Sequence, residues 1–479
     1  MVFIPNLGPK KTGTISGMYD QQKHTRYLSS YSPNDFYWGI GIENETYFQF
    51  TVKSEKTTVA IYGNHKPERY SVDYFSGYNP EYKLLLKSIF PPTQRTYNIP
   101  IYLNAHTLIK TDISGNHATT YEKLPRPNPR FKGKTVHEVL CEANPQFFKD
   151  RYKINYIFDG DTIEFMTQKF YNTTVGEVMK ELISEKRRFL VEINKVFKKA
   201  NIFKQYGQLM YPVRNEPFVS FLTNLNNIAT FNNGTYHLNF TIPTQLDSNS
   251  QPANMAQFVS KHKAAIRYIQ YLEPLIVSLY GTPDPFAAVS SKFSRASQRC
   301  AASRYIGLGT YDTDIMLTGK ILLIPVEELT VSKHDFWWYT IFHKTSNYNR
   351  LPKIGCDINF NKHGAHGIEI RFLDWFPENR LQQLMETMVH VLDYSLIHGI
   401  PDNPIHSPLW NQIVVKCLQS GPATMLNDEE YCLYVSMFDI PMTKKRLLSD
   451  VYELIERRVR TVRGPCAQLM LRRPSCFGM

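Results

Sequence analysis

The chain has 479 residues, 55 of them Lys or Arg and 43 Asp or Glu, for a formal net charge of +12. At about 150 residues per domain this length fits three domains, or one large domain with insertions. Charged residues at 20% and hydrophobic residues at 42% exclude wholesale disorder, and 13% aromatics are enough to fill a large core. The positive charge suits nucleic acid, an anionic surface, or an enzyme handling phosphates and carboxylates, and composition does not choose among them.

Residues 1–35 are polar and read as an N-terminal arm. The stretch after Met1, VFIPNLGPKKTGT, is too briefly apolar for a signal peptide. A strand is expected from Gly39. Residues 60–155 are rich in Pro, Asn, Tyr and Lys and read as irregular structure with short strands, an insertion into a larger domain. Helices are predicted over 175–200, where Val175, Met179, Leu182, Leu190, Ile193 and Phe197 fall at helical spacing, and over 255–280, kinked by Pro274. Two more follow at 379–398 and 443–461, the last with a basic end. The elements suggest an α+β fold.

Seven cysteines (141, 300, 356, 417, 432, 466 and 476), odd in number and without a CxxC, suggest a reduced, intracellular (cytoplasmic) protein. No membrane span is expected, because the most apolar helical stretch, from Ala264 to Tyr280, contains Arg267, Gln270, Glu273 and Pro274. The sequence holds no GxxxxGK[ST], GxGxxG or HExxH, so the common P-loop, dinucleotide and zincin chemistries have no support.

Four short segments share a pattern. Read as strands, Gly39–Phe50 puts Ile40, Ile42, Thr46, Phe48 and Phe50 on one face, interrupted by Asn44, and Glu43, Glu45, Tyr47 and Gln49 on the other. In Asp161–Thr167, Ile163 and Phe165 oppose Glu164. In Gly234–Pro243, Tyr236, Leu238, Phe240 and Ile242 oppose His237, Asn239 and Thr241. In Gly367–Leu373, Ile368, Ile370 and Phe372 oppose Glu369 and Arg371. Any one segment could be an ordinary amphipathic strand with a solvated polar face. In a single sheet, however, four carboxylates and an imidazole would share one surface. Their mutual repulsion amounts to several kcal/mol at an effective dielectric of about 20. Mg²⁺ or Mn²⁺ would relieve it, with substrate phosphates completing the shell, and Arg371 beside the ions could neutralise a phosphoryl group in transfer.

The segments GIENE, IEFMT, GTYHLNFTIP and GIEIRFLDWFP resemble, in order, the signature segments of glutamate–cysteine ligases, members of the glutamine-synthetase-like carboxylate–amine ligases. RYIQYLEPLIVSLYGTPDP, ASRYIGLGTYDT and IEFMTQKFYNTTVGEVMKEL resemble further family segments, so the likeness covers roughly 36–50 and 155–380. It implies a large, mostly antiparallel sheet curved into a funnel with outer helices. It also implies ATP as cosubstrate, two or more Mg²⁺ ions, an acyl-phosphate intermediate, glutamate as the favoured carboxylate and cysteine as the default amine. Carried over by position, Glu43, Glu45, Glu164, His237 and Glu369 would be metal ligands. Arg371 would contact the transferred phosphoryl group, and Arg304 the substrate carboxylate, with Arg295 and Arg299 as alternatives.

The chain departs from the family in the length between Glu45 and Glu164, in offering both Asp159 and Asp161 before Glu164, and in lacking an identifiable cysteine pocket. His363 and His366 read as an exposed loop pair, Asp374 as a structural turn residue and Cys300 as buried. The expected layout is an arm (1–35), a ligase domain (36–410, with insertion 60–155) and a C-terminal helical extension with a basic tail (411–479). Arg457, Arg458, Arg460, Arg472 and Arg473 in that tail read as a solvated face, with an anionic partner as the minority reading. Two functions follow. One is an ATP- and Mg²⁺-dependent ligase. The other is a non-enzymatic structural or binding protein on the same fold, touching nucleic acid or protein through the insertion and tail.

Overall fold

The computed structural model describes residues 36–51, 58–60, 70–72, 75–76, 96–98, 100–103, 108–109, 134–148, 156–159, 162–167, 174–198, 206–216, 218–221, 228–230, 234–249, 251–283, 296–297, 311–318, 357–361 and 367–471. Helices and strands are mixed, as α+β requires. The chain divides into two compact units: residues 1–42, 169–180 and 236–479, and residues 43–168 and 181–235.

All four segments singled out by alternation form strands of one six-stranded sheet. In chain order its strands are β1 (Phe36–Thr46), β2 (Tyr156–Asp159), β3 (Thr162–Met166), β4 (Gly234–Gln245), β5 (Ile358–Phe360) and β6 (Ile368–Asp374), hydrogen-bonded in the order β2-β3-β1-β4-β6-β5. The pairs β1/β3, β2/β3 and β5/β6 are antiparallel. The division between units falls inside strands, after Ile42 in β1 and after Thr235 in β4.

The predicted run Gly39–Phe50 is not one strand. β1 ends at Thr46, and Phe48–Phe50 pairs with Leu209–Met210 and Ile101–Leu103 in a separate seven-stranded sheet. That second sheet also takes in Phe218–Phe221, Ile228–Thr230, Tyr70–Val72 and Phe75–Ser76, and it includes parallel pairs. Tyr47 and Gln49, expected on the polar face with Glu43 and Glu45, lie past the end of β1, where Tyr47 packs with Tyr102 and Val219.

In the unit containing residues 181–235, the core is aromatic. Phe189 of helix α3 stacks on Phe48 (5.8 Å between centroids) and meets Phe148, Tyr156 and Phe165 edge-on at 5.5, 4.4 and 5.3 Å. Helix α3 (Val175–Phe197) follows α1 (Val136–Ala143) and α2 (Pro145–Phe148), neither of which was legible in the region read as irregular. A buried phenylalanine contributes about 2 kcal/mol and aromatic pairs add to that, so this one side chain organises much of the local packing.

The other unit is built on helix α4 (Met255–Tyr280), which is buried along most of its length and packs against β6. Helices α5 (Glu378–His398), α6 (Pro408–Ser420), α7 (Asp428–Phe438), α8 (Leu448–Arg460) and α9 (Pro465–Leu471) complete it. The segment read as a C-terminal helical extension packs within this unit: α6 and α8 both rest on α4, and α9 rests on α5. The reason lies at Pro274. A proline there has no N–H for the Gln270 carbonyl, and its ring crowds the preceding turn. The indole Nε1–H of Trp410 donates to the freed Gln270 oxygen at 3.1 Å, and the Tyr434 hydroxyl donates to the Tyr271 oxygen at 3.1 Å. Asp393 in α5 accepts the backbone N–H groups of Gly464, Cys466 and Ala467 and so caps α9. Among the described residues no helix is long and apolar enough to cross a membrane.

Candidate metal centre

Alternation alone would allow the charged face to be solvated, and the structure excludes that. Glu43, Glu45 and Glu164 are 3%, 5% and 6% exposed, and His237 and Glu369 are 2% and 1%. The register puts Glu45 directly opposite Glu164 across the β1/β3 pair, with Glu43 two residues along the same face of β1. Like charges opposed across a ladder repel. Burial sharpens the cost, since a carboxylate out of water needs compensation.

Part of that compensation is visible. The Thr235 hydroxyl donates to Glu45 Oε2 at 2.8 Å. In the unit holding β5 and β6, Arg371 Nη1 bonds Glu369 Oε1 at 2.8 Å, and the Asn359 amide donates to Glu369 Oε2 at 2.6 Å. His237 Nδ1 lies 3.8 Å from the same Glu369 Oε1. Glu369 is therefore engaged through both oxygens, and Arg371 is engaged by the carboxylate it was expected to stand beside.

Glu43, Glu45 and Glu164 belong to one unit, and His237 and Glu369 to the other. Carboxylates and an imidazole are ligand types that a divalent ion accepts. Glu45 is held by Thr235, and Glu369 by Arg371 and Asn359.

Three groups next to these were not assigned from sequence. Asn359 falls in a three-residue strand whose role only its register with Glu369 reveals. Asn239 and Thr241 share the His237 face and are fully buried. Neither the Asn239 amide nor the Thr241 hydroxyl has a hydrogen-bond partner among the described residues. Such groups are costly unless a ligand or water completes them. Their place on the polar face was legible, but alternation says nothing about satisfaction. Arg304, Arg295, Arg299, Asp161, Cys300, Cys356, Cys476, His363, His366, Arg472 and Arg473 lie outside the described residues. Of the other cysteines, Cys141, Cys417 and Cys466 are buried thiols and Cys432 is exposed.

A second acidic group, Asp312, Asp314 and His406, is differently built. Asp314 is paired with Arg267 at 2.5 Å and Lys263 at 3.6 Å, and Asn403 donates to both aspartates at 3.0 Å. That hydrogen bond from Asn403, with the nearby cations, holds the Asp314 carboxyl below its ordinary range. The charge is already balanced by side chains, and the network ties α4 to the loop before α6.

Over 430 residues the sequence is 41% identical to the uncharacterized protein R704 of Acanthamoeba polyphaga mimivirus, a match spanning 89% of this chain and 75% of the viral protein. The chain belongs to the R704 family. No family model matches the sequence. The description of the viral protein names no activity, so within the R704 family the function has to be argued from the side chains themselves.

Proposed function

We propose that the chain is an ATP- and divalent-cation-dependent carboxylate–amine ligase similar to glutamate–cysteine ligases, with the six-stranded sheet as the floor of a glutamine-synthetase-like funnel. The observation that carries the proposal is the burial of Glu43, Glu45 and Glu164 on the face that alternation marks, with Glu45 directly opposite Glu164. With His237 from β4 the donor set would fit Mg²⁺ or Mn²⁺: oxygens with one imidazole, leaving positions for phosphate oxygens. A bound cation there would offset charge on the phosphates of ATP.

The chain's own residues would do the rest. Glu45, fixed by Thr235, and Glu369, fixed by Asn359 and Arg371, would be further ligands of the ion. Arg371 is 19% exposed at its side chain and so has access to a ligand, and its guanidinium can exchange from Glu369 to a phosphoryl group. In the reaction the substrate carboxylate oxygen attacks the γ-phosphorus and ADP leaves, giving an acyl phosphate. The amine nitrogen then attacks the carbonyl carbon, phosphate leaves, and the nitrogen gives up a proton. Phosphoryl transfer of this kind needs positioning and charge neutralisation more than covalent help. Arg304 remains the proposed contact for the amino-acid carboxylate, and glutamate with cysteine the proposed pair.

The test is ADP release by purified protein given ATP, Mg²⁺, glutamate and a panel of amines. Release that requires all components, and is abolished by Glu369→Gln and by Arg371→Ala with folding intact, is the expected result. No turnover with any amine, in protein that still binds the cation, would favour a non-enzymatic binding protein. Activity retained in both variants would overturn the site assignment.

A further inference from the structure

Asn44 interrupts the apolar face of β1, and Lys186 interrupts the apolar stripe of α3. These two exceptions meet. The stripe runs through buried Leu182, Phe189 and Ile193, and Lys186 occupies the position between Leu182 and Phe189 with only 4% of its surface exposed. Its ammonium donates to Asn44 Oδ1 at 2.8 Å and sits 4.6 Å above the Tyr211 ring, whose hydroxyl donates back to the Lys186 carbonyl at 2.8 Å. The Asn44 amide then donates to the carbonyls of Glu45 (3.0 Å) and Thr235 (3.1 Å). Thr235, in turn, holds the Glu45 carboxylate. At the same place β4 approaches β1 so closely that a Cβ on Gly234, which has φ +130°, would lie 1.8 Å from the Glu45 carbonyl oxygen. All of these residues belong to one compact unit.

A buried ammonium is costly unless negative charge lies near it. Lys186 reaches β1 from the side opposite the carboxylates, at the residue between Glu43 and Glu45. We propose that Lys186 is a resident counter-charge for the acidic face, acting through the backbone relay Asn44–Glu45–Thr235. It stabilises the face before any cation binds and positions Glu45. This rests on the reading of that face as a cation site. It makes Lys186 a positioning residue, and it sets the charge against which a divalent ion must compete.

The test has two arms. In the first, thermal unfolding of the full chain in chelator compares wild type, Lys186→Met, Glu45→Gln and the double variant. The loss in melting temperature from Lys186→Met should be at least halved in the Glu45→Gln background, and strictly additive effects of the two substitutions would overturn the proposal. Lys186→Gln, which keeps a donor toward Asn44 without the charge, serves the same cycle if Lys186→Met does not fold. In the second arm, Mn²⁺ titration should show tightening of about tenfold in Lys186→Met or Lys186→Gln and no change in Lys186→Arg. A purely structural lysine would weaken Mn²⁺ binding instead, and that result would overturn the counter-charge. Coupling in chelator with no Mn²⁺ binding by wild type would leave Lys186 as the counter-charge and remove the proposed ligase chemistry.

Discussion

Acidification should destabilise the unit built on α4 through one buried imidazole. His262 is fully buried. Its Nε2 accepts the backbone N–H of Ile242 at 3.1 Å, so the ring proton sits on Nδ1, which donates to the Phe258 carbonyl at 2.7 Å. Gly367 crowds it from the next strand, where a Cβ would lie 3.0 Å from Nε2. Protonating Nε2 would break the bond to β4 and place a charge in an apolar interior. Burial therefore pushes the pKa of His262 down to about 4, against the opposing pull of the Phe258 hydrogen bond and with help from Lys261. The folded pKa is depressed, so the contribution is fully present above the unfolded value near 6.5. It is lost as pH falls from there toward 4, because the unfolded chain binds the proton first. The full loss is about 3.5 kcal/mol, since the fall from 6.5 to about 4 is worth about 1.4 kcal/mol per pH unit. Urea unfolding of wild type and His262→Gln between pH 7.5 and pH 4 isolates the effect, since other titrating groups act in both proteins. The stability advantage of wild type should shrink by about 3 kcal/mol over that range. A pH-independent difference would refute the assignment of His262 as a buried neutral ring.

Further outcomes follow from the helical packing. Trp410→Phe leaves the Gln270 carbonyl unsatisfied and should lower stability by about 1–3 kcal/mol. Adding Pro274→Ala to it should restore part of that loss, because an alanine supplies the missing N–H; a urea-unfolding cycle measures both. Asp393→Ala removes the acceptor for three N–H groups at the start of α9, so hydrogen exchange at Gly464, Cys466 and Ala467 should rise sharply while β1 and β4 stay protected. Glu45→Gln removes one of two carboxylates placed directly opposite each other, so in chelator it should stabilise the metal-free protein, which thermal unfolding reads directly.

The sheet was legible because its strands alternate cleanly: period-two patterning around Glu43, Glu164, His237 and Glu369 identified four of its six strands and the face that carries charge. The long helices were legible for the same reason at period 3.6, and the one holding Pro274 runs unbroken from Met255 to Tyr280. Where alternation continues through a change of partner it misleads, and Phe48 and Phe50 continued the β1 pattern while belonging to another sheet. Short elements such as β5 leave no periodic trace, and so Asn359 was missed. Helix α6 was missed although Ser407 and Pro408 are sound start signals. The two most informative irregularities were both exceptions to a pattern. Asn44 on an apolar strand face was noted without a partner to explain it. Lys186, in an apolar helical stripe, carries no signal of its own in the sequence because it stands in the charged run EKRR.

Glu43, Glu164 and His237 are the proposed ligands of a divalent ion. Mn²⁺ titration of chelator-stripped protein, followed by electron paramagnetic resonance, tests this directly. The expected result is a bound-ion signal with nitrogen coupling from an imidazole, lost in His237→Ala and weakened in Glu43→Gln. No binding by the wild type, or the same isotherm and spectrum in His237→Ala, would contradict it.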